Sequence, residues 1–181
     1  MRILERRLNG LILLEPTVFE DRRGIFFEAY NRRAFRDLGI ADEFVQDNQS
    51  TSRHGTLRGL HYQAPPHAQA KLLRVLRGAV FDVAVDIRAS SPSRGRWAGF
   101  RLSAENRRIL FIPAGFAHGF CVLSDQADVL YKCSDFYAPE CERGIRWDDP
   151  ALGIDWPVSN PILSERDRNH PLFRELPSDF Q

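Results

Sequence analysis

Cysteine is scarce and unpatterned in this 181-residue chain: Cys121, Cys133 and Cys141 are its only three, and no pair has CxxC spacing. An odd number argues against a disulfide framework, the spacing argues against a zinc site, and a reducing compartment fits both. An excess of one charge is lacking too, with Lys plus Arg at 25 and Asp plus Glu at 24. Binding to nucleic acid or to an anionic membrane surface usually needs a basic excess, so neither partner is expected. A local basic pocket for one anionic ligand stays compatible with that balance. No stretch approaches the roughly 18 apolar residues of a membrane span. The opening MRILERRLNG has no long apolar core of the signal-peptide kind. Internal repeats and low-complexity linkers are absent as well. The expectation is a cytoplasmic protein with one domain, residues 1–181.

What the chain does have is punctuation. Turn signals recur at Asn9-Gly10, Arg23-Gly24, Pro65-Pro66, Arg77-Gly78, Ser91-Pro92, Pro113 to Gly115 and Ala138-Pro139. Short apolar runs lie between them. FDVAVDI alternates, with Phe81, Val83, Val85 and Ile87 on one face and Asp82, Ala84 and Asp86 on the other. That period of two predicts a half-buried strand. LILLEPTVF, KLLRVL, RRILFIP, GFCVL and DVLYKCSDFY read as strands in the same way. Only NRRAFRDLGI reads as a helix, with Asn31 as N-cap and Gly39 as its stop. A second short helix is expected around Ser164 to Arg168 in the proline-rich and charged tail. Many short strands with few helices predict an all-β sandwich or barrel.

The stretch IPAGFAHGF carries PxGxxH at Pro113, Gly115 and His118. It resembles the second motif of the cupin superfamily, whose members are double-stranded β-helix jelly rolls, and whose histidine there commonly binds a metal. The first cupin motif maps onto HYQAPPHAQAKLLRVLRG, where His61 and Gly78 match its ends. Gln63 replaces the second histidine, the glutamate is missing, and Lys71 sits near the place of a carboxylate ligand. An ammonium repels a metal ion, and transition metals usually take three or more histidine or carboxylate ligands. A pocket with His61, Lys71 and His118 suits an anion, and no metal or other cofactor is expected. His54, His67 and His170 stand beside loop signals and are taken as packing or surface residues.

Nine stretches together resemble one family, the dTDP-4-dehydrorhamnose 3,5-epimerases of deoxysugar biosynthesis: DRRGIFFEAYN, FVQDNQS, LRGLHYQ, KLLRVLRGAVFDVAVDIR, SPSRGRWAG, IPAGFAHGF, YKCSDFY, IRWDDP and LSERD. They follow the family's order over nearly the whole chain. The resemblance implies that His61 is the catalytic base, Asp167 the carboxylate paired with it and Tyr131 the proton donor. It implies that Lys71 lies near the developing enolate, with His118 lining the same site. By the same resemblance Arg23, Glu28, Gln46, Asp47, Asn48, Arg58, Glu142 and Arg166 contact the nucleotide sugar. Tyr137 would stack on the thymine. The family often has adjacent tyrosines where this chain has Phe136-Tyr137, so which ring stacks is open. A homodimer is implied too, with an N-terminal segment bringing Arg23 and Glu28 to the partner's pocket.

The implied reaction inverts carbons 3 and 5 of dTDP-4-dehydro-6-deoxy-D-glucose by removing a proton next to the ketone and returning one to the opposite face. Relatives that invert only one of these carbons share the motifs. A nucleotide-sugar-binding cupin without turnover and a metal-dependent cupin oxygenase are weaker alternatives. One geometric difficulty stands. On a regular strand Arg58 and His61 face opposite sides. A bulge at Gly59, or an approach of Arg58 from the strand's start, would bring both to one pocket.

Overall fold

Strands form where the alternating runs are closed by turn residues. The computed structural model describes residues 1–180, so Gln181, the last residue of the expected domain, lies outside the described residues. In chain order the elements are β1 (Arg2–Arg7), β2 (Leu11–Glu15), β3 (Val18–Asp21), β4 (Gly24–Phe27), α1 (Arg32–Asp37), β5 (Gln46–Arg53), β6 (Leu57–Gln63) and β7 (Lys71–Arg77). There follow β8 (Ala79–Asp86), β9 (Trp97–Ser103), β10 (Ile109–Ile112), β11 (Phe116–Val122), β12 (Gln126–Cys133), β13 (Glu142–Gly144) and α2 (Glu165–Arg168). LILLEPTVF is two strands rather than one, because Pro16 lies between β2 and β3 and has no N–H to give a ladder.

Two antiparallel sheets face each other. One has the order β1-β2-β10-β7-β12-β5 and the other β13-β6-β11-β8-β9. From β5 onward the chain changes sheet at every step but β8 to β9, which is the winding of a jelly roll. Leu73, Val75, Val80, Leu102, Leu110, Phe120 and Val129 fill the space between the sheets. Each outer face has its own cover. Helix α1 lays Phe35 on the first sheet against Ile12, Leu14, Leu72 and Ile109. Burying such a ring contributes about 2–3 kcal/mol. The α1 start is as expected, with the Asn31 side chain accepting from the Arg33 and Ala34 N–H groups at 3.0 and 3.2 Å. The irregular tail lays Ile145, Leu152 and Trp156 on the second sheet against Leu57, Leu60, Val83 and Val85.

That second cover corrects the reading of β8 as half-buried. Asp82, Ala84 and Asp86 are as buried as Val83 and Val85. Alternation separated the two faces correctly, yet the polar face looks into the lumen rather than into solvent. The hairpin β3–β4 belongs to neither sheet and leaves Phe19 62% and Phe26 71% exposed. Among the described residues no helix is long and apolar enough to cross a membrane.

Candidate active site

The site begins with two glycines packed back to back. Gly59 of β6 has φ +138°, a conformation that disfavours any side chain, and a Cβ placed there would meet the Gly119 Cα of β11 at 2.5 Å. Across this contact His61 pairs with His118 and Arg58 with Phe120, so three steps on β6 match two on β11. This is a β-bulge. It reverses the parity of the strand and brings Arg58 and His61 to one cavity, together with Ser50, Lys71, His118, Phe120 and Tyr131. A second cavity shares His61, Lys71 and Tyr131 and continues past Gln46, Asn48, Gln69, Tyr137 and Glu142.

His61 Nε2 lies 2.5 Å from Asp167 Oδ1. Asp167 comes from the buried side of α2, and Ser164, the N-cap, donates its hydroxyl to Asp167 Oδ2 at 2.8 Å. Burial pushes the Asp167 carboxyl up, but the nearby His170 ring and the hydrogen bonds from His61 and Ser164 outweigh it and hold the group well below the usual carboxylate range. An ionised Asp167 is only an acceptor, so His61 Nε2 carries the hydrogen and Nδ1 keeps the free lone pair. Burial lowers the His61 pKa below 6.5, with Asp167 opposing and Lys71 and His170 adding to the shift. This favours the neutral imidazole at physiological pH.

Lys71 shares its face of β7 with Leu73 and Val75, and this puts its ammonium in the lumen. Burial lowers its pKa, opposed by Cys133, Asp82 and Glu142. Tyr131 shares a β12 face with Ala127 and Val129, and burial raises its phenol above 10. It keeps its proton across the neutral range.

The remaining predicted residues divide by strand parity. Gln46 and Asn48 point into the cavity, whereas Asp47 between them points away and binds Lys132 Nζ at 2.9 Å. Arg58 Nε donates to Ser52 Oγ at 3.0 Å. Glu142 Oε2 accepts from the Tyr137 hydroxyl at 2.5 Å and from Arg166 Nη1 at 2.8 Å, so these three form one rim. Tyr137, not Phe136, lines the cavity. Arg23 and Glu28 do not reach it within their own chain: Arg23 pairs with Asp21 at 2.6 Å and Glu28 accepts from Asn31 at 3.0 Å.

Several residues escaped the sequence reading. Asp82 is fully buried and binds His118 Nε2 at 2.9 Å. Burial pushes Asp82 up, with His118 and Lys71 opposing, so the pair is sealed inside the lumen wall. The signal was the aspartate in the polar face of FDVAVDI. His170, taken as a packing or surface residue, sits beside Asp167 with Nε2 at 3.7 Å from Oδ1. Its signal was the spacing of three after Asp167, just past the end of α2. His67 and His54 do have local roles, one facing Asp135 at 3.1 Å and the other facing the Leu123 carbonyl at 3.1 Å.

The cupin metal position does not fit an ion. Gln63 donates to the His67 and Phe136 carbonyls at 2.7 and 3.2 Å and accepts from the Ala138 N–H at 2.8 Å. Its amide is spent on the loop that carries Tyr137. His61, Asp167 and His170 bring ligand-type atoms within 4.8 Å of one another. However, the 2.5 Å contact between His61 and Asp167 is a hydrogen bond. Ligands at about 2 Å from a tetrahedral ion stand over 3 Å apart.

Comparison with known proteins agrees over nearly the whole chain. The family model described as dTDP-4-dehydrorhamnose 3,5-epimerase matches residues 5–175. A Pseudomonas aeruginosa protein of that name is 56% identical over 177 residues, 97% of each chain. One from Shigella flexneri is 53% identical over 174 residues, 96% of each. The crystal structure of dTDP-6-deoxy-D-glucose-3,5-epimerase from Legionella pneumophila Philadelphia 1, in complex with dTDP-4-keto-L-rhamnose, superposes with a TM-score of 0.94 at 48% identity, covering 98% of this chain and 95% of that one.

Proposed function

As the chain belongs to the dTDP-4-dehydrorhamnose 3,5-epimerase family, we propose that it inverts carbons 3 and 5 of dTDP-4-dehydro-6-deoxy-D-glucose to give dTDP-4-dehydro-L-rhamnose. The observation that carries this reading is one cavity lined by His61, Lys71 and Tyr131, with Asp167 hydrogen-bonded to His61. His61 Nδ1 removes the proton next to the ketone. Asp167 holds the ring and stabilises the imidazolium, as carboxylates do in other His–Asp pairs. Negative charge then moves to the ketone oxygen, where the Lys71 ammonium offsets it in a site largely screened from water. Tyr131 delivers a proton to the other face of the carbanion. His61 then gives up its captured proton to solvent and the Tyr131 phenolate takes one back, which resets both groups. Repeating the cycle at the second carbon completes the reaction, and no step requires a metal or a redox change.

Arg58 supplies a forked cation for the diphosphate. Tyr137 stacks on the base, and its bonds to Glu142 and, through Glu142, to Arg166 hold the ring at the rim. The chain works as one domain, and as a homodimer. The exposed Phe19 and Phe26 of the β3–β4 hairpin supply an apolar contact. Docking that hairpin on a second copy would carry Arg23 and Glu28 toward its pocket. A cytoplasmic location accords with three free cysteines.

Incubation with the substrate in deuterated water, followed by NMR, tests the reaction. Deuterium at carbons 3 and 5 with inversion at both is expected. Labelling at one carbon only would make this a mono-epimerase, and no labelling would make it a binding protein. Light scattering tests the dimer, which a monomer of about 21 kDa with full activity would exclude.

A further inference from the structure

The His61–Asp167 pair has a third member. His170 presents a side chain only 9% exposed, and its Nε2 has no hydrogen-bond partner among the described residues. That nitrogen lies 3.7 Å from Asp167 Oδ1, the same oxygen that His61 Nε2 holds at 2.5 Å. The two imidazoles meet edge to face, 5.5 Å between centroids at 74°. The slot for the second ring is made by a glycine. Gly144 pairs with His61 across β13 and β6, and a Cβ on it would fall 2.4 Å from His170 Nε2 and Cε1. Just beyond, the Arg146 N–H donates to the Pro171 carbonyl at 2.9 Å and pins the segment in place.

We infer that His170 is a positioning residue for the proton transfer, one that shares the Asp167 carboxylate with His61 and so fixes both the plane and the basicity of the catalytic ring. Next to an ionised carboxylate, the tautomer with hydrogen on Nε2 is favoured, because the opposite one would aim a lone pair at Asp167. An N–H directed at Oδ1 withdraws part of the charge that would otherwise stabilise the His61 imidazolium. His61 is then a weaker base and stays neutral to lower pH. The other groups that face His61 are Lys71 from β7, which acts in the same direction, and Asp167 and Glu142, which oppose it. Tyr131 and His118 line the same cavity. The inference rests on the proton-transfer reading of His61 and Asp167.

The test reads His61 directly, without substrate. Histidine-labelled protein is titrated by NMR, with the His61 signal assigned from its loss in His61→Asn. In His170→Ala and His170→Phe the His61 midpoint is expected to rise by about half to one pH unit, the size of one lost neighbouring donor. His170→Gln keeps an N–H at a similar reach, and its midpoint is expected to move less than half as far. The acid limb of kcat/KM should follow in the same order. A midpoint that stays put or falls in the Ala and Phe variants would overturn the proposal, and so would a Gln variant that moves as far as Ala. Circular dichroism checks folding, and the Phe variant, which keeps a ring against Gly144, serves where Ala does not fold. The titration is independent of turnover, so it can fail while deuterium labelling still shows epimerisation, and the reverse.

Discussion

Two His–Asp pairs stand in the same lumen, and they differ in almost every respect that matters for chemistry. His61 is 30% exposed at its side chain and meets a carboxylate delivered from 106 residues away. His118 is 8% exposed and meets Asp82 from the neighbouring strand, itself fully buried. The first carboxylate has donors enough to stay ionised, whereas burial pushes the second toward its protonated form. The first pair can therefore exchange a proton with a ligand and recover. The second is closed on itself, with the His118 Nε2 to Asp82 contact tying β8 to β11. A His–Asp contact by itself is not a catalytic dyad. Access for one ring nitrogen and a stable charge on the carboxylate make it one.

The largest effect expected from breaking this comparison is on His61. Replacing it by Asn should lower kcat by about ten-thousandfold, the upper range for loss of a general base. Thermal stability should change little, and nucleotide binding, measured by calorimetry, should persist. Next comes Tyr131→Phe, with inversion slowed about a thousandfold. Solvent exchange with retention should slow much less, because His61 can return a proton to the face it came from. NMR that follows deuterium and stereochemistry together separates the two, and equal losses would move Tyr131 into enolate formation.

The second pair should respond in the opposite currency of stability. His118→Leu leaves Asp82 buried without its hydrogen-bond partner and should cost about 3 kcal/mol in denaturant unfolding. Adding Asp82→Val to that variant should recover part of the loss, since an apolar pair has no charge to desolvate. A double variant worse than the single one would mean that Asp82 has another partner.

The pH dependence should be smaller and has a definite sign. A histidine with its pKa lowered below 6.5 is active as a base above that value, and kcat/KM falls only as pH drops through it. The acid limb in a pH–rate profile should therefore lie below 6.5, and the basic limb below 10.5, where Lys71, whose pKa burial lowers, would lose its charge, since burial holds the Tyr131 proton to above 10. Stability follows the same direction. Asp167 is lowered from 3.8, so its contribution is full above that value and is lost as pH falls through its folded pKa. The smallest effect should be that of a chelator. Since Gln63 is bound to backbone on both sides of its amide, EDTA should leave turnover unchanged.

Much of this was readable in the chain. The apolar runs and their turn residues marked most strands, and the family resemblance named His61, Lys71, Tyr131 and Asp167 before any geometry. What stayed hidden has physical reasons. β5 reads QDNQSTSR, with no apolar alternation, because its inward face lines the cavity rather than the core. β8 showed its two faces but not that the tail would bury one and the lumen the other. Asp47 came with Gln46 and Asn48 as a block, although a strand must send the middle residue away. His170 was passed over because a loop signal says nothing of the glycine slot that receives it.

The back-to-back glycines 59 and 119 have a consequence for how this sequence can vary. Most tight contacts tolerate change in pairs, one side chain growing as its neighbour shrinks. Here neither partner has anything left to give up, since each already presents only a Cα to the other. A substitution at either position thus has no compensating change across the contact, and the route between variants is closed in both directions. A saturation library over 59 and 119 together should return the parental pair and little else. The same library at 58 and 61 would select for chemistry, but at these two it would select for the register that lets Arg58 and His61 belong to one site.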